Sequence, residues 1–487
     1  MNMIFGVKDR PKFGQTILFA IQQLLAIMAA TLVVPVITNG ATGSTLSPAA
    51  ALFGAGVGTL VYLLFTKFRS PVFLGSSFAF LGSMAAAFAG GVSMTLGYAG
   101  LILGAVFAGF VYVIIAAAVK VAGVKWLDRL MPVVVIGPTV SIIGLSLAGN
   151  AVSDLVKGSV VNAEGAAVAS PLITVLCGLV ALLVTMLCST YGKKMVRLIP
   201  FILGILAGYA VAAVFTLIGN ATATDALKVL DFSKLSVLWE NGVTLKTFVN
   251  YELVTKDFVF LKAAKGFAEL NWGYVGAIAV AYVPVAFVVF AEHIADHKNI
   301  SSIIGKDLLK DPGLSRTLLG DGLATTMAGL LGGPANTTYG ENTGVLALSK
   351  IYDPLVIRIA AVLAIILSFS PKFEAVINTI PTGIIGGISF VLYGMISAIG
   401  VRNVVENRVD FTNSRNLIVA AVILVCALGF NSVGGVSFAV AGVTINLSGL
   451  AVAAIAGILL NAILPGNDYE FDAADGSEAA TSSNLQV

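Results

Sequence analysis

Residues 287–299 read FVVFAEHIADHKN. An apolar run closes there on Glu292, His293, Asp296 and His297, and these are the only two histidines in the chain. On an α-helix Glu292 and Asp296 are one turn apart and share a face, with His293 and His297 on the neighbouring one. Ionisable groups inside a membrane span point to function by default, because lipid makes them costly. Asp296 and His297 also fit an interfacial position near a helix end, since Lys298 follows them. Glu292 fits it poorly, lying a turn deeper behind VPVAFVVFA (283–291).

The rest of the chain supplies the membrane. Of 487 residues, 58% are hydrophobic and only 11% charged, with a mean hydropathy of +0.97. A soluble domain carries about 25% charged residues, so the composition reads as a polytopic membrane protein. A net charge of +3 leaves no footprint for nucleic acid. Cys177, Cys188 and Cys426 sit in apolar runs and read as small buried hydrophobes, not as a disulfide framework or a metal site. The polar, basic start MNMIFGVKDRPKFGQ leads into a first span and not into a cleaved signal peptide.

A helical span needs about 20 apolar residues. By that rule helices are expected near 15–38, 47–66, 95–119, 131–149, 170–190, 198–218, 273–297, 316–332, 355–370, 380–400, 415–430 and 444–464. Two further apolar pieces, near 72–90 and 334–349, are interrupted by Gly, Ser, Thr and Pro, and counting them gives fourteen crossings. Charge placement agrees: with both termini cytoplasmic, the short outer loops hold only Lys157 and Lys372. The long 219–272 loop reads as an extracellular cap or hairpin, and the acidic, Ser/Ala-rich residues 465–487 as a disordered cytoplasmic tail.

The interrupted pieces are PVFLGSSFAFLGS (Pro71–Ser83) and GGPANTTYGENTG (Gly332–Gly344). Backbone at membrane depth must be hydrogen-bonded, so two short extended stretches buried in protein would pair with each other. Half-helices at matched positions in two halves mark the binding site of a transporter. MPVVVIG (131–137) and IPTGIIG (380–386) share Pro-x4-Gly, which suggests a repeat. A repeat of seven spans is odd, so its second copy is inverted. Glu341, at the second interruption, reads as a first-turn acid that can also accept hydrogen bonds from ligand N–H groups; Asp321, in LLGDGLATTM, reads as a third acid or a structural partner. A zinc enzyme is the competing chemistry for HIADH, but the order lacks the Glu that HExxH places directly after the first His.

The motifs QQLLAIMAATLVVPV (Gln22–Val36), LGSSFAF (Leu74–Phe80), AEH (Ala291–His293), KDLLKDPGLSR (Lys306–Arg316) and NTTYGENTGVLALSK (Asn336–Lys350) together resemble the nucleobase/ascorbate transporter family, and within it the bacterial uracil-transporting members. The resemblance runs from about Gly6 to the end of the last span. It implies an all-α polytopic protein of fourteen segments in a 7+7 inverted repeat, with two short β-strands in segments 3 and 10. It implies a core domain built from 1–130 and 273–379 that moves against a gate domain built from 131–218 and 380–464. It implies proton-coupled uptake of uracil with no enzymatic activity and no cofactor beyond the proton gradient (Na⁺ being the other candidate ion), in a homodimer surrounded by lipid. Xanthine or another purine is the second substrate. The substrate contacts it implies are Glu292, Glu341, Phe78, Tyr339, Gly340 and Ala30, with Asp296, Asp321 and Asn342 in proton-linked or supporting roles. The sequence departs from the resemblance at one point. Where uracil-transporting members carry histidine four residues after the AEH glutamate, this chain has Asp296, with His297 one place later. That leaves either Asp296 as the proton-linked partner or Glu292 acting alone, with His293 and His297 in packing or interfacial roles.

Overall fold

The computed structural model describes residues 6, 7, 9, 12–160, 167–193, 195–233, 255–340, 342, 346, 351–440 and 443–466. The chain opens with α1 (Phe13–Thr42) and α2 (Pro48–Phe65). Ser47 caps α2 by accepting from the Ala50 N–H at 3.2 Å, with Pro48 at the first helical position, where a missing N–H costs nothing. Strand β1 (Leu74–Ser76) follows, then the short α3 (Leu81–Ala87) and α4 (Met94–Ala122). Next come α5 (Val133–Ser146), α6 (Ala148–Val156), α7 (Pro171–Tyr191) and α8 (Pro200–Ala221). The second half holds α9 (Trp272–Ile304), α10 (Leu314–Leu331), β2 (Asn336–Thr338), α11 (Pro354–Ser368), α12 (Pro371–Asn378), α13 (Thr382–Glu406) and α14 (Ser414–Ser432). It ends on β3 (Val436–Val440), β4 (Val443–Leu447) and α15 (Gly449–Ile463).

Among the described residues nine helices are long and apolar enough to cross a membrane, ten if the bent pair α11–α12 is one span. Each of the twelve helices expected from the sequence has a counterpart. Three of them, α10, α11 and α15, lie outside the nine: α10 carries Arg316 and Asp321 among its threonines, and α11 and α15 have only 15 residues each. Two expectations need correction. The helix expected over 273–297 continues to Ile304, where Gly305 ends it in a left-handed conformation (φ 66°) and donates to the Ser301 carbonyl. The four titratable residues therefore lie inside a helix and not at its tip. The last helix starts at Gly449, because residues 436–440 and 443–447 pair as antiparallel strands, β3 against β4, a second pair of strands. In the 219–272 loop the described residues outside the helices form only short helical turns, at Asp225–Leu227, Val259–Lys262 and Gly266–Glu269; residues 234–254 and the tail from 467 lie outside the described residues.

Small residues bring the helices close. An added side-chain carbon at Gly109 of α4 would lie 2.4 Å from the Gly322 carbonyl of α10, and one at Gly322 would lie 2.6 Å from the Gly109 carbonyl. The two backbones touch there, as close packing in lipid requires. Helices α1, α2, α4, α9, α10 and α11 pack on one another, and α5, α6, α7, α8, α13, α14 and α15 do the same. The groups meet mainly where α9 lies against α5, α15 and β4, and where α1 crosses α8. On α7 the side chains of Leu172, Leu176, Leu179, Leu183 and Met186 are exposed along one stripe, the apolar surface a helix presents to lipid. At the loop end of α4, Ser93 and Thr95 donate to the exposed Glu269 carboxylate at 2.6 and 2.9 Å and hold its pKa below the usual value. That tie is present at neutral pH and is lost as the pH falls through the lowered value.

Candidate functional site

The two interrupted segments pair as the sequence suggests. β1 and β2 run antiparallel, with Leu74 opposite Thr338, Gly75 opposite Thr337 and Ser76 opposite Asn336. Ser77 N–H to the Ala335 carbonyl (2.9 Å) and Tyr339 N–H to the Phe73 carbonyl (3.3 Å) extend the ladder at each end. Two strands of three residues leave outer edges that lipid depth does not forgive. A threonine closes each. Thr59 of α2 accepts from the Leu74 N–H at 3.0 Å and donates to the Leu74 carbonyl at 3.2 Å, while Thr325 of α10 donates to the Asn336 carbonyl at 2.9 Å. Thr59→Val is expected to lower the thermal midpoint of the detergent-solubilised protein, at a cost of about 1–2 kcal/mol for a buried strand edge left unpaired. Thr66→Val serves as the control, since that hydroxyl bonds only within its own helix turn.

The carboxylates of α9 face this crossing. Thr337 Oγ1 donates to Glu292 Oε2 at 3.3 Å, and Thr338 Oγ1 donates to Asp296 Oδ2 at 2.6 Å. Asp296 is 1% exposed and Asp321 is fully buried, whereas Glu292 is partly exposed. Glu292 is therefore the one of these three acids that a ligand can reach. Gly340, the first helical residue after β2, lies beside Asp296: a side-chain carbon there would be 3.4 Å from Asp296 Oδ1 and 2.6 Å from the Ile399 methyl of α13. Phe78, on the turn after β1, meets Tyr393 of α13 edge to face at 5.5 Å. Ala30 is buried on α1 beside Thr31. Asn342 donates to the Pro71 carbonyl at 3.1 Å and so ties the exit from β2 to the entry to β1. Glu341 lies outside the described residues.

Tyr339 holds the strand pair together. Its ring covers Gly75, its hydroxyl donates to the Ser76 carbonyl at 2.8 Å, and Thr31 donates to that hydroxyl at 3.3 Å. The side chain clamps the strand pair onto α1, and only its backbone borders Gly340. Tyr339→Phe is expected to cost about 1 kcal/mol of stability and to leave ligand affinity within about twofold, read by thermal unfolding and equilibrium binding.

The interfacial reading of His293, Asp296 and His297 is overturned, because all three are buried to 1% exposure or less. His293 Nδ1 lies 2.7 Å from Asp321 Oδ2, and its Nε2 3.0 Å from Thr317 Oγ1. His297 Nδ1 lies 2.7 Å from the His293 carbonyl, which can only accept, so Nδ1 carries the hydrogen. The Tyr62 hydroxyl lies 2.6 Å from His297 Nε2 and 2.8 Å from Ser70 Oγ. The two imidazoles stack at 4.0 Å. All four ring nitrogens are spent, and among the described residues no three His, Cys, Asp or Glu side chains converge on a common point as metal ligands would. The zinc reading of HIADH has no observation behind it. The signal that could have placed these histidines inward was their i,i+4 spacing along the helix, with Asp321 on the next one.

A sequence profile described as a permease family matches residues 14–436. The chain belongs to that family, the nucleobase/ascorbate transporters. It is 37% identical over 465 residues to a uracil permease of Bacillus caldolyticus, covering 95% of each chain. It is 36% identical over 460 residues to a uracil permease of Bacillus subtilis, covering 94% of this chain and 95% of the relative. A uracil permease of Escherichia coli K12 is 35% identical over 459 residues, with 94% and 93% covered. Among solved structures, the transmembrane domain of a cyanobacterial bicarbonate transporter, BicA, superposes with a TM-score of 0.51 at 15% identity, over 86% of this chain and 97% of that one. The structure of SLC26A9 gives 0.52 at 11% identity, over 92% of this chain and 65% of that one. These two likenesses concern the fold alone.

Proposed function

We propose that this family member takes up uracil across the cytoplasmic membrane by alternating access, driven by protons. The observation that carries the reading is Glu292, a partly exposed carboxylate at a crossing of two buried strands, in a chain whose relatives are uracil permeases. Uracil is a flat, neutral ring with N–H donors and C=O acceptors. Glu292 accepts from the ring N–H groups, and by sequence Glu341 offers a second carboxylate. Backbone N–H groups at Phe78 and Gly340 donate to the carbonyls, with the Phe78 ring against one face. The exits from β1 and β2 lie at opposite ends of a three-residue pair, about 7 Å apart by strand rise, a gap on the scale of one pyrimidine ring.

The two helix groups supply the moving parts. The group of α1–α4 with α9–α12 is the core that holds the crossing, and α5–α8 with α13–α15 is the gate. Phe78 against Tyr393, and Gly340 against Ile399, are contacts across that boundary. A cavity of about 340 Å³ also lies on it, lined by Val36, Asn39 and Leu46 on one side and by Lys157, Ser159 and Thr382 on the other. Its Val36 wall is six residues, about 9 Å along the helix, from Ala30, so the cavity fits the mouth of the pathway. The matched threonines, Thr59 before β1 and Thr325 before β2, support an inverted repeat of seven segments. Both termini are then cytoplasmic, and the protein works as a homodimer in lipid.

The test is uptake of labelled uracil into proteoliposomes with an inward proton gradient. Unlabelled uracil should displace the label, xanthine, urate and sulfate should not, and collapsing the gradient should abolish accumulation. Displacement by xanthine but not by uracil would overturn the substrate. Equal accumulation with and without the gradient would overturn the coupling.

A further inference from the structure

The cavity of about 340 Å³ on the boundary between the two helix groups falls within the range of small-molecule sites, about 300–1,000 Å³. Val36, Leu46, Ile380 and Ile385 give it apolar walls. Its polar groups differ in what they have left to offer. Asn39 fixes a wall: its side-chain oxygen accepts from the Leu46 N–H at 2.7 Å and the Ser44 hydroxyl at 2.9 Å, and its amide donates to the Leu46 carbonyl at 2.8 Å. The Thr379 hydroxyl donates to the Val376 carbonyl at 2.7 Å and lies 2.9 Å from the Tyr209 hydroxyl. Asp231, the one acid among the lining residues, accepts from the N–H and the hydroxyl of Ser233 at 3.0 and 2.5 Å.

Two groups keep hydrogens to give. Ser159 Oγ donates to Thr382 Oγ1 at 3.1 Å and accepts from the Thr382 N–H at 2.7 Å, so the hydrogen of the Thr382 hydroxyl is left for another acceptor. Lys157 brings an ammonium with three N–H donors. That ammonium reaches from the gate group to the last turn of α1, since an added side-chain carbon at Gly40 would lie 3.9 Å from Lys157 Nζ. The carbonyl end of a helix attracts a cation, and α1 has no basic residue of its own in that turn. The attraction holds the ammonium beside the cavity. Apolar walls with hydrogen-bond donors suit a flat ring that carries carbonyl oxygens. Glu292 is the converse, an acceptor for ring N–H groups.

We propose that this cavity is a second binding site for uracil, one that takes the ring by its carbonyl oxygens through Lys157 and Thr382. This rests on the uracil uptake proposed above and adds a site to it. A ring held by its carbonyls keeps its N–H groups unpaired for Glu292. The two sites therefore read different groups of one molecule, carbonyls at the cavity and N–H groups at the strand crossing.

Lys157 itself reports on the cavity with no transport step. Purified full-length protein in lipid nanodiscs is treated with an amine-acetylating reagent, and each lysine is read by mass spectrometry. Uracil should slow acetylation of Lys157 severalfold and leave the exposed Lys265, which does not line the cavity, unchanged. In Glu292→Gln the uracil concentration that gives half-protection should match that of wild type, because Glu292 is not part of the cavity. In Thr382→Val it should rise by up to about tenfold, the loss of one neutral hydrogen bond. Unsubstituted pyrimidine, the same ring without carbonyls, should not protect at the concentration where uracil does. Protection that disappears in Glu292→Gln comes from movement around the first site and overturns the second. If Thr382→Val does not fold, equal protection by pyrimidine and uracil decides against it. Uracil uptake with an unprotected Lys157 overturns the second site and leaves the proposed function standing; protection of Lys157 without uptake does the reverse.

Discussion

Glu292→Gln is expected to reduce uracil uptake at least about 100-fold while the protein remains folded. Hydrogen bonds to a charged acceptor contribute about 1.5–3 kcal/mol each, and each 1.4 kcal/mol is tenfold in affinity. The amide keeps the shape of the carboxylate but turns one of its two acceptors into a donor, which then faces a ring N–H. The substitution leaves the helix and the strand crossing intact, because the bond from Thr337 is long, at 3.3 Å, and the glutamine oxygen can still accept it. Thr337→Val, which removes only that hydroxyl, is expected to cost a few-fold in uptake. Uptake of labelled uracil and the thermal midpoint of each purified variant check the pair of expectations. Full activity in Glu292→Gln would remove Glu292 from the site.

Gly75→Val is expected to prevent recovery of folded protein. The new side-chain carbon would lie 2.4 Å from Cζ and 2.6 Å from Cε2 of Tyr339, and 2.8 Å from Thr31 Oγ1. None of these atoms can retreat. The Tyr339 ring is held at its hydroxyl by Ser76 and Thr31, and its backbone N–H is held by Phe73. Relief requires β2 to leave β1, and with it go the threonine contacts to Glu292 and Asp296. Gly340→Ala makes an informative contrast. There the carbon meets the tip of Ile399, a flexible side chain, at 2.6 Å, so the variant should fold and lose part of its uptake. Size-exclusion profiles of the solubilised variants read the difference. A monodisperse Gly75→Val protein with wild-type uptake would contradict this account of the strand pair.

The strand pair was legible because its physics is local. Gly, Ser, Thr and Pro interrupting apolar sequence at two matched places leave no stable option but mutual pairing inside protein, and β1 and β2 do pair. The depth of Glu292 was legible for a similar reason, from the length of the apolar run before it. The neighbours of the histidines were not legible, because they come from other elements: Tyr62 and Ser70 from the α2 region, Thr317 and Asp321 from α10. With those partners absent from view, the polar residues before Lys298 fit a helix end, and the sequence leaves His293 and His297 between packing and interfacial roles. The pairing of β3 with β4 is hidden in the opposite way. VSFAV and VTINL alternate as strands do, but in so apolar a chain the length rule for spans took precedence over the alternation. Tyr339 enters the expected contacts through the family resemblance alone; its clamp over Gly75 exists only in three dimensions.

The central claim is that uracil binds at the crossing of the two broken segments, against Glu292. The most direct measurement is the structure of the protein with uracil bound. The account predicts the ring between the exits of β1 and β2, with its N–H groups within hydrogen-bonding distance of the Glu292 carboxylate and Phe78 against one face. Uracil seated elsewhere, for example only in the cavity between Asn39 and Thr382 with no contact to Glu292, would contradict it.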